Sequence, residues 1–314
     1  MTRTLPDHPA HWDDGEPPRH APGPSPDPWT ALRAHTPARI ALGRAGTSLP
    51  TAEVLRFAAA HAGARDAVHL PLDVEALLAD LRAQGLAPIR VESRAGSRVE
   101  YLTRPDLGRQ LAAEGRDALE SMRLGGGGSC GCAQDDRLSG AQDDGEGGHP
   151  ARSRRAHPGQ AAAVCIVIAD GLSAVAAQRH AAPLAAELAK AGVAATHVVV
   201  ATQARVALGD EIGECLGADI VVMLLGERPG LSSPDSLGAY ITWAPHAGRA
   251  DSERNCVSNI RPEGLPLAAA AGRIAWLVGE AQRRRVTGIA LKDESEVPAL
   301  GADASAALPA EPRE

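Results

Sequence analysis

Aromatic side chains are almost missing from this 314-residue sequence: it has one phenylalanine, two tyrosines and four tryptophans. Large rings therefore cannot fill the interior. The core must come from Ala, Leu, Val and Ile, whose small side chains let backbones approach closely and suit helix-on-sheet packing. Cysteine is scarce as well. Cys130, Cys132, Cys165, Cys215 and Cys256 form an odd, scattered set without paired Cys-x-x-Cys spacing, which argues against a disulfide framework and against a zinc site. Long apolar runs are absent too. The longest, Ala161 to Ala169, falls far short of the roughly 20 residues a membrane-spanning helix needs, and no charged-then-apolar leader opens the chain. Positive charge is not in excess: the formal net charge is −7, and no basic stripe interleaved with aromatics marks a nucleic-acid surface. The expectation is a soluble, cytosolic protein with reduced thiols, no membrane contact and no nucleic-acid partner. At 44% hydrophobic, the chain has apolar material for one large domain or two smaller ones.

Composition shifts divide the chain. Residues 1–28 carry eight prolines and the histidines His8, His11 and His20, a composition that breaks helices and reads as a disordered, solvated tail. From Trp29 the pattern becomes mainly helical up to residue 123. Pro50 opens one helix bearing Val54, Leu55, Ala58 and Ala62 on one face, and Asp73 caps a second with Leu77, Leu78 and Leu81 at helical spacing before Gly85 stops it. A short extended run, Ile89 to Val91, follows, and a third helix is expected from Pro105 to about Met122. Residues 124–161 hold ten glycines among mixed charges and read as a flexible linker in which Cys130 and Cys132 are an exposed thiol pair.

From residue 162 to 293, strand and helix alternate. Ala162–Ala169, His197–Ala201, Ile220–Leu225 and Ala239–Ala244 read as strands. Ser173 and Asp210 are candidate helix caps, Pro183 a candidate kink, Gly192 a helix stop and Pro266 the start of the last long helix. This predicts an α/β fold: a doubly wound, mainly parallel, Rossmann-like C-terminal domain behind a mainly helical N-terminal region. Residues 294–314 read as a second loose tail.

In such a sheet the ligand crevice lies beyond the carboxyl ends of the strands. Three loops there are rich in hydrogen-bonding groups: Ala169 to Ser173, Leu225 to Gly230, and Arg254 to Ile260 before the last helix. None is a GxGxxG or GxxxxGK[ST] phosphate loop, no GxSxG serine stands in a strand-to-helix elbow, and no HExxH or close metal-ligand set occurs. Each loop also has a purely structural reading, with Gly226, Pro229 and Gly230 shaping a turn and Asp170 and Asp210 capping helices. His61, His180 and His246 read as packing or surface residues.

The wording of these segments is more specific. ARIALGRAG at 38–46 with LPT at 49–51, ARDAV at 64–68 after His61, and YL at 101–102 with RPDLGR at 104–109 closely resemble the small subunit of ethanolamine ammonia-lyase. So do IADGLSA at 168–174, RVALGD at 205–210, GERPGL at 226–231, RNCVSNI at 254–260 and GIALKD at 288–293. The resemblance covers residues 29–123 and 162–293. The proline-rich extension and the glycine-rich insert depart from the family pattern without touching a motif.

The resemblance implies a subunit that closes one side of an adenosylcobalamin site, with the catalytic residues on a large TIM-barrel subunit and none on this chain. It implies that the cofactor carries the radical chemistry turning ethanolamine into acetaldehyde and ammonia, while protein groups position and shield it. Val206, Glu227 and Cys256 match the family's corrin-contacting positions. No Asp-x-His-x-x-Gly occurs, so base-on cofactor binding is expected. Residues 29–123 are the expected contact with the large subunit. Two other classes stay in view: a stand-alone doubly wound enzyme or small-molecule binder, active without a partner, and a structural component of an ethanolamine-using microcompartment, which makes no cofactor contact.

Overall fold

Two stretches of continuous apolar residues form the centre of a six-stranded sheet. The computed structural model describes residues 29–36, 38–125 and 162–295. The tail expected over residues 1–28 with its three histidines, the linker from residue 126 with Cys130 and Cys132, and the tail from residue 296 lie outside the described residues. Strand β2 (Val164–Ala169) is buried along its whole length, as is β4 (Ile220–Gly226). They pair in parallel, Val164 opposite Ile220 through Ala169 opposite Leu225. Strand β3 (Ala195–Thr202) joins the other side of β2 in parallel, and β1 (Pro88–Glu92) adds outside β3, again parallel. Beyond β4 come two antiparallel strands, β5 (Leu237–Trp243) and β6 (Asn255–Ile260), giving the order β1-β3-β2-β4-β5-β6. The fold is α/β with a mostly parallel sheet, and it draws one strand from the segment that precedes the glycine-rich stretch.

Alternation along the strands fills a core on each face of the sheet. Ile166, Ile168, Val222 and Leu224 share one core with Leu77 and Leu81 of α2 (Val74–Ala83), Leu184 and Leu188 of α6 (Ala182–Lys190), and Ile274 and Leu277 of α8 (Leu267–Arg284). Cys165, Val167, Val221 and Met223 share the other with Leu119 of α4 (Ala113–Gly125) and Leu208 and Ile212 of α7 (Leu208–Leu216). The shortage of aromatics is met by close approach. A Cβ on Gly209 of α7 would come within 3.0 Å of Met223 Sδ and 3.3 Å of Val221 Cγ1, so the helix lies almost directly on β4.

The expected helix from Pro105 to Met122 is instead broken. Arg98–Thr103 forms α3, a 3₁₀ turn covers Leu107–Arg109, and α4 starts only at Ala113. Leu111 is drawn out of helical geometry by a bridge to Ser93, and its N–H donates to Glu211 at 2.9 Å. Around Pro183 the helix is not uniform: the three-residue α5 (Ala174–Ala176) passes through a π turn at Ala177–Ala181 into α6. A wider turn there gives the proline ring room where its missing N–H would interrupt the ladder. Asp73 and Ser173 cap as expected, accepting from Ala76 N at 3.0 Å and Ala176 N at 3.2 Å. Gly192 ends α6 with φ +90°.

The chain divides into two compact units at Ala62/Gly63. In the first, Glu53 near the start of α1 (Thr51–His69) is buried among arginines: Arg56 binds its carboxylate, Arg33 lies 3.5 Å away, and Arg39 donates to its carbonyl at 2.9 Å. Val54, Leu55 and Phe57 of the same helix are exposed. The second unit holds the sheet.

Candidate functional site

Strand β2 is the first of the central strands, and its neighbours β3 and β4 lie on opposite sides of it. The chain order reverses there, so the crevice belongs at the carboxyl ends of β2, β3 and β4. Two glycines bring its loops together. Gly171 adopts φ +54°, and a Cβ on it would strike Gly226 and come within 2.8 Å of Leu225 Cγ; a Cβ on Gly226 would strike the Asp170 and Ser173 carbonyls. The two loops therefore touch backbone to backbone, with Leu172 N donating to Gly226 O at 2.9 Å.

Asp170 fixes the third loop. It is buried and accepts from Gln203 N at 3.0 Å and Ala204 N at 3.1 Å, with Arg98 at 3.4 Å. Its role is therefore to tie the end of β2 to the turn after β3, not to cap a helix. Burial raises its carboxyl above the ordinary range, and Arg98 and the amides pull it back. Tyr101 sits alongside, with the guanidinium groups of Arg98 and Arg205 over its ring at 4.8 Å and 4.6 Å from the centroid and its hydroxyl donating to Ala204 O at 3.2 Å. Burial, with the charge of Asp170, pushes that hydroxyl up to about 12.

These ties shape a cleft of about 520 Å³ whose walls include Tyr101, Leu172, Arg205, Val206, Glu227 and Tyr240. Val206 follows β3 and is half-buried against the core. Glu227 is the first residue past β4. Its Oε2 accepts from Ser236 Oγ and from Asn259 N at 3.2 Å, and among the described residues no donor reaches Oε1. Cys256 is exposed and lies directly across the ladder from Tyr240. Partial burial and the charge of Glu227 raise its thiol above the ordinary value, and burial raises the Tyr240 hydroxyl further. Both stay protonated near neutral pH. The three residues singled out from sequence thus fall on or beside one cleft.

Two expectations need correction. Arg254 to Ile260 is not a loop before the last helix but mostly strand β6, with Cys256 inside it. Only Val257 and Ile260 of that strand are buried, three apart, because the register shifts opposite Gly238 and Asn259 takes φ +57°; a polar edge strand with a bulge shows neither alternation nor an apolar run. Asp210 caps nothing. It lies inside the first turn of α7, buried, where Arg254 binds it and Thr242 hydrogen-bonds it. Burial raises its carboxyl and Arg254 opposes the shift.

Each of the three histidines has its own local partner. His61 stacks on Phe57, His180 is buried 3.5 Å from Asp235, and His246 is exposed beside Ala247 O. Among the described residues no group of three His, Cys, Asp or Glu side chains could hold a metal, and none of the residues lining the cleft is histidine. No helix of the described residues is long and apolar enough to cross a membrane. The sequence reading missed Tyr101, Tyr240 and Ser236 as parts of the site. A signal existed: the chain has only two tyrosines, and both line this cleft.

Comparison with known proteins is unambiguous about kinship. The family described as ethanolamine ammonia-lyase light chain matches residues 26–129 and 148–292. Ethanolamine ammonia-lyase small subunits from Ralstonia nicotianae and Bradyrhizobium diazoefficiens are each 51% identical, over 280 residues (88% of this chain, 92% of the relative) and 273 residues (85% and 91%) respectively. The protein of that name from Xanthomonas campestris is 46% identical over 288 residues, 90% of this chain and 94% of its own length.

Proposed function

Because the chain belongs to the ethanolamine ammonia-lyase light-chain family, we propose that it is the small subunit of a carbon–nitrogen lyase that converts ethanolamine to acetaldehyde and ammonia, and that it is inactive alone. In this reading a large TIM-barrel subunit carries the catalytic residues. Val206, Glu227 and Cys256 hold one edge of adenosylcobalamin bound base-on. The cofactor, when bound, supplies the radical chemistry.

The observation that carries the reading is the convergence of Val206 and Glu227 on one cleft, with Cys256 beside its Tyr240 wall. The residues fit the group. A corrin rim is fringed with amides, which donate to a carboxylate, and among the described residues no donor takes Glu227 Oε1 while Ser236 and Asn259 occupy Oε2. Val206 offers an apolar edge, and the small Cys256 packs rather than reacts. A cleft of about 520 Å³ takes only the margin of so large a macrocycle, so the rest needs a second protein surface. The protonated thiol and phenol and the lack of a histidine in the cleft suit holding and water exclusion rather than proton transfer.

The same reading makes residues 162–293 a doubly wound, Rossmann-like cofactor-contacting domain, and helices on both sheet faces support it. It makes residues 29–123 the region that meets the large subunit, where Val54, Leu55 and Phe57 of α1 are exposed. The test is to purify this chain, the large subunit and the co-expressed pair, and assay acetaldehyde release from ethanolamine with and without adenosylcobalamin. Turnover by the pair alone is expected. Turnover by this chain by itself contradicts the proposal.

A further inference from the structure

The carboxylate of Glu227 sits in a built cradle. Its backbone N–H donates to Ser236 O at 2.9 Å, extending the β4–β5 ladder by one rung, so the buried Ser236 is fixed opposite it and its hydroxyl donates to Oε2. Across the next strand, Leu237 pairs with Ile260 and Ala239 with Val257, leaving Gly238 opposed by both Ser258 and Asn259. This is a β-bulge, a device that redirects groups locally. Its effect here is specific: Asn259, at φ +57°, turns its N–H onto Oε2 at 3.2 Å. Gly238 completes the arrangement. A Cβ there would lie 2.9 Å from Oε1 and 3.1 Å from Cγ of Glu227, so the carboxylate rests over a backbone that only glycine leaves clear.

We infer that Ser236, Gly238 and the Asn259 amide form a cradle that saturates one oxygen of Glu227 and aims the other at the ligand, which makes Ser236 and Gly238 positioning residues for cofactor binding. The inference rests on the reading of Glu227 as a cobalamin contact. Its logic is preorganisation. A free glutamate loses considerable side-chain freedom on binding, and a carboxylate already held by two donors to one oxygen loses little.

The experiment is a titration of adenosylcobalamin into the assembled two-subunit enzyme, with melting of the cofactor-free complex measured alongside. The variants are Glu227→Ala, Ser236→Ala, Gly238→Ala, Ser236→Thr and the pair Ser236→Ala/Glu227→Ala. Ser236→Ala should weaken binding about fivefold, the effect of one ordinary hydrogen bond. Gly238→Ala should weaken it about tenfold, because the methyl displaces Oε1. Ser236→Thr should restore affinity, and in the Glu227→Ala background Ser236→Ala should cost nothing further, since coupled residues are non-additive. Wild-type affinity in Ser236→Ala and Gly238→Ala, alongside weakened Glu227→Ala, overturns the cradle and leaves the contact standing. An equal loss from Ser236→Ala with and without Glu227 also overturns it. Wild-type affinity in Glu227→Ala overturns the contact itself. If Gly238→Ala does not assemble, the Ser236 series and its double mutant decide.

Discussion

Arg254 and Asp210 form a buried ion pair, each side chain 2% exposed, that joins the start of β6 to the first turn of α7. Removing one partner from such a pair leaves a charge without compensation and typically costs about 3–5 kcal/mol. The surroundings set where each variant falls. In Asp210→Ala, Arg254 keeps Asp251 Oδ1 at 2.6 Å and Arg249 O at 2.9 Å, so a loss near the lower end, about 3 kcal/mol, is expected. At about 2–4 °C per kcal/mol for a domain of this size, the melting temperature should fall by roughly 6–12 °C. In Arg254→Ala, Asp210 keeps the Thr242 hydroxyl and the charge of Arg249 and is relieved by taking up a proton. Burial already raises that carboxyl and Arg254 opposes the rise, so removing Arg254 raises it further. A carboxyl whose folded pKa lies above its unfolded value binds more protons when folded, and stability falls as pH climbs through the interval between the two. Arg254→Ala should thus lose more stability relative to wild type at pH 8 than at pH 5. Replacing both partners with apolar residues of similar volume, Asp210→Leu with Arg254→Met, should recover most of the loss. Urea titrations followed by circular dichroism at pH 5, 7 and 8 measure all of this. A loss below about 1 kcal/mol for either single variant, far under the range for a broken buried pair, refutes the reasoning. So does an Arg254→Ala penalty that shrinks as pH rises.

Gly171→Ala should cost about 2–4 kcal/mol, combining the left-handed backbone penalty with a methyl forced against Gly226 and Leu225; an unchanged urea midpoint rules this out. Cys256 should alkylate slowly in the cofactor-free chain at pH 7.5, because its thiol is held above the ordinary value. Glu227→Gln removes one cause of that shift, so the alkylation rate at Cys256, followed by mass spectrometry, should rise, whereas a slower rate would reverse the assigned sign. Tyr101→Ala should cost about 3–5 kcal/mol, as for other buried aromatic truncations, since the ring is almost wholly buried and carries two guanidinium contacts. A chemical-denaturation midpoint within error of wild type would show that the buried ring contributes nothing.

The central strands could be read directly because Val164–Ala169 and Ile220–Gly226 are covered on both faces, which leaves no polar residue to interrupt them. Strand β6 could not. Its exposure is set by its position at the sheet edge and its spacing by a bulge, neither of which composition encodes locally. Asp170 and Asp210 have the spacing of helix caps, yet their partners, Gln203, Ala204 and Arg254, lie 33, 34 and 44 residues away. Only the fold brings such pairs together. Glu227 and Val206 stood out through the wording of their motifs, not through local pattern. Ser236, outside any quoted motif, became visible only when the β4–β5 ladder placed it opposite Glu227.

The most direct test of the account is the adenosylcobalamin affinity of the assembled enzyme carrying Glu227→Ala, with the melting temperature of the same complex before cofactor is added. A charge-assisted hydrogen bond is worth about 1.5–3 kcal/mol, and each 1.4 kcal/mol is about tenfold in affinity. The account predicts binding weakened by roughly ten- to a hundredfold, with subunit assembly and melting retained and with Cys256→Ala costing less. A lowered melting temperature with wild-type cobalamin affinity would contradict it, because Glu227 would then brace the turn through Ser236 and Asn259 and take no part in holding the cofactor.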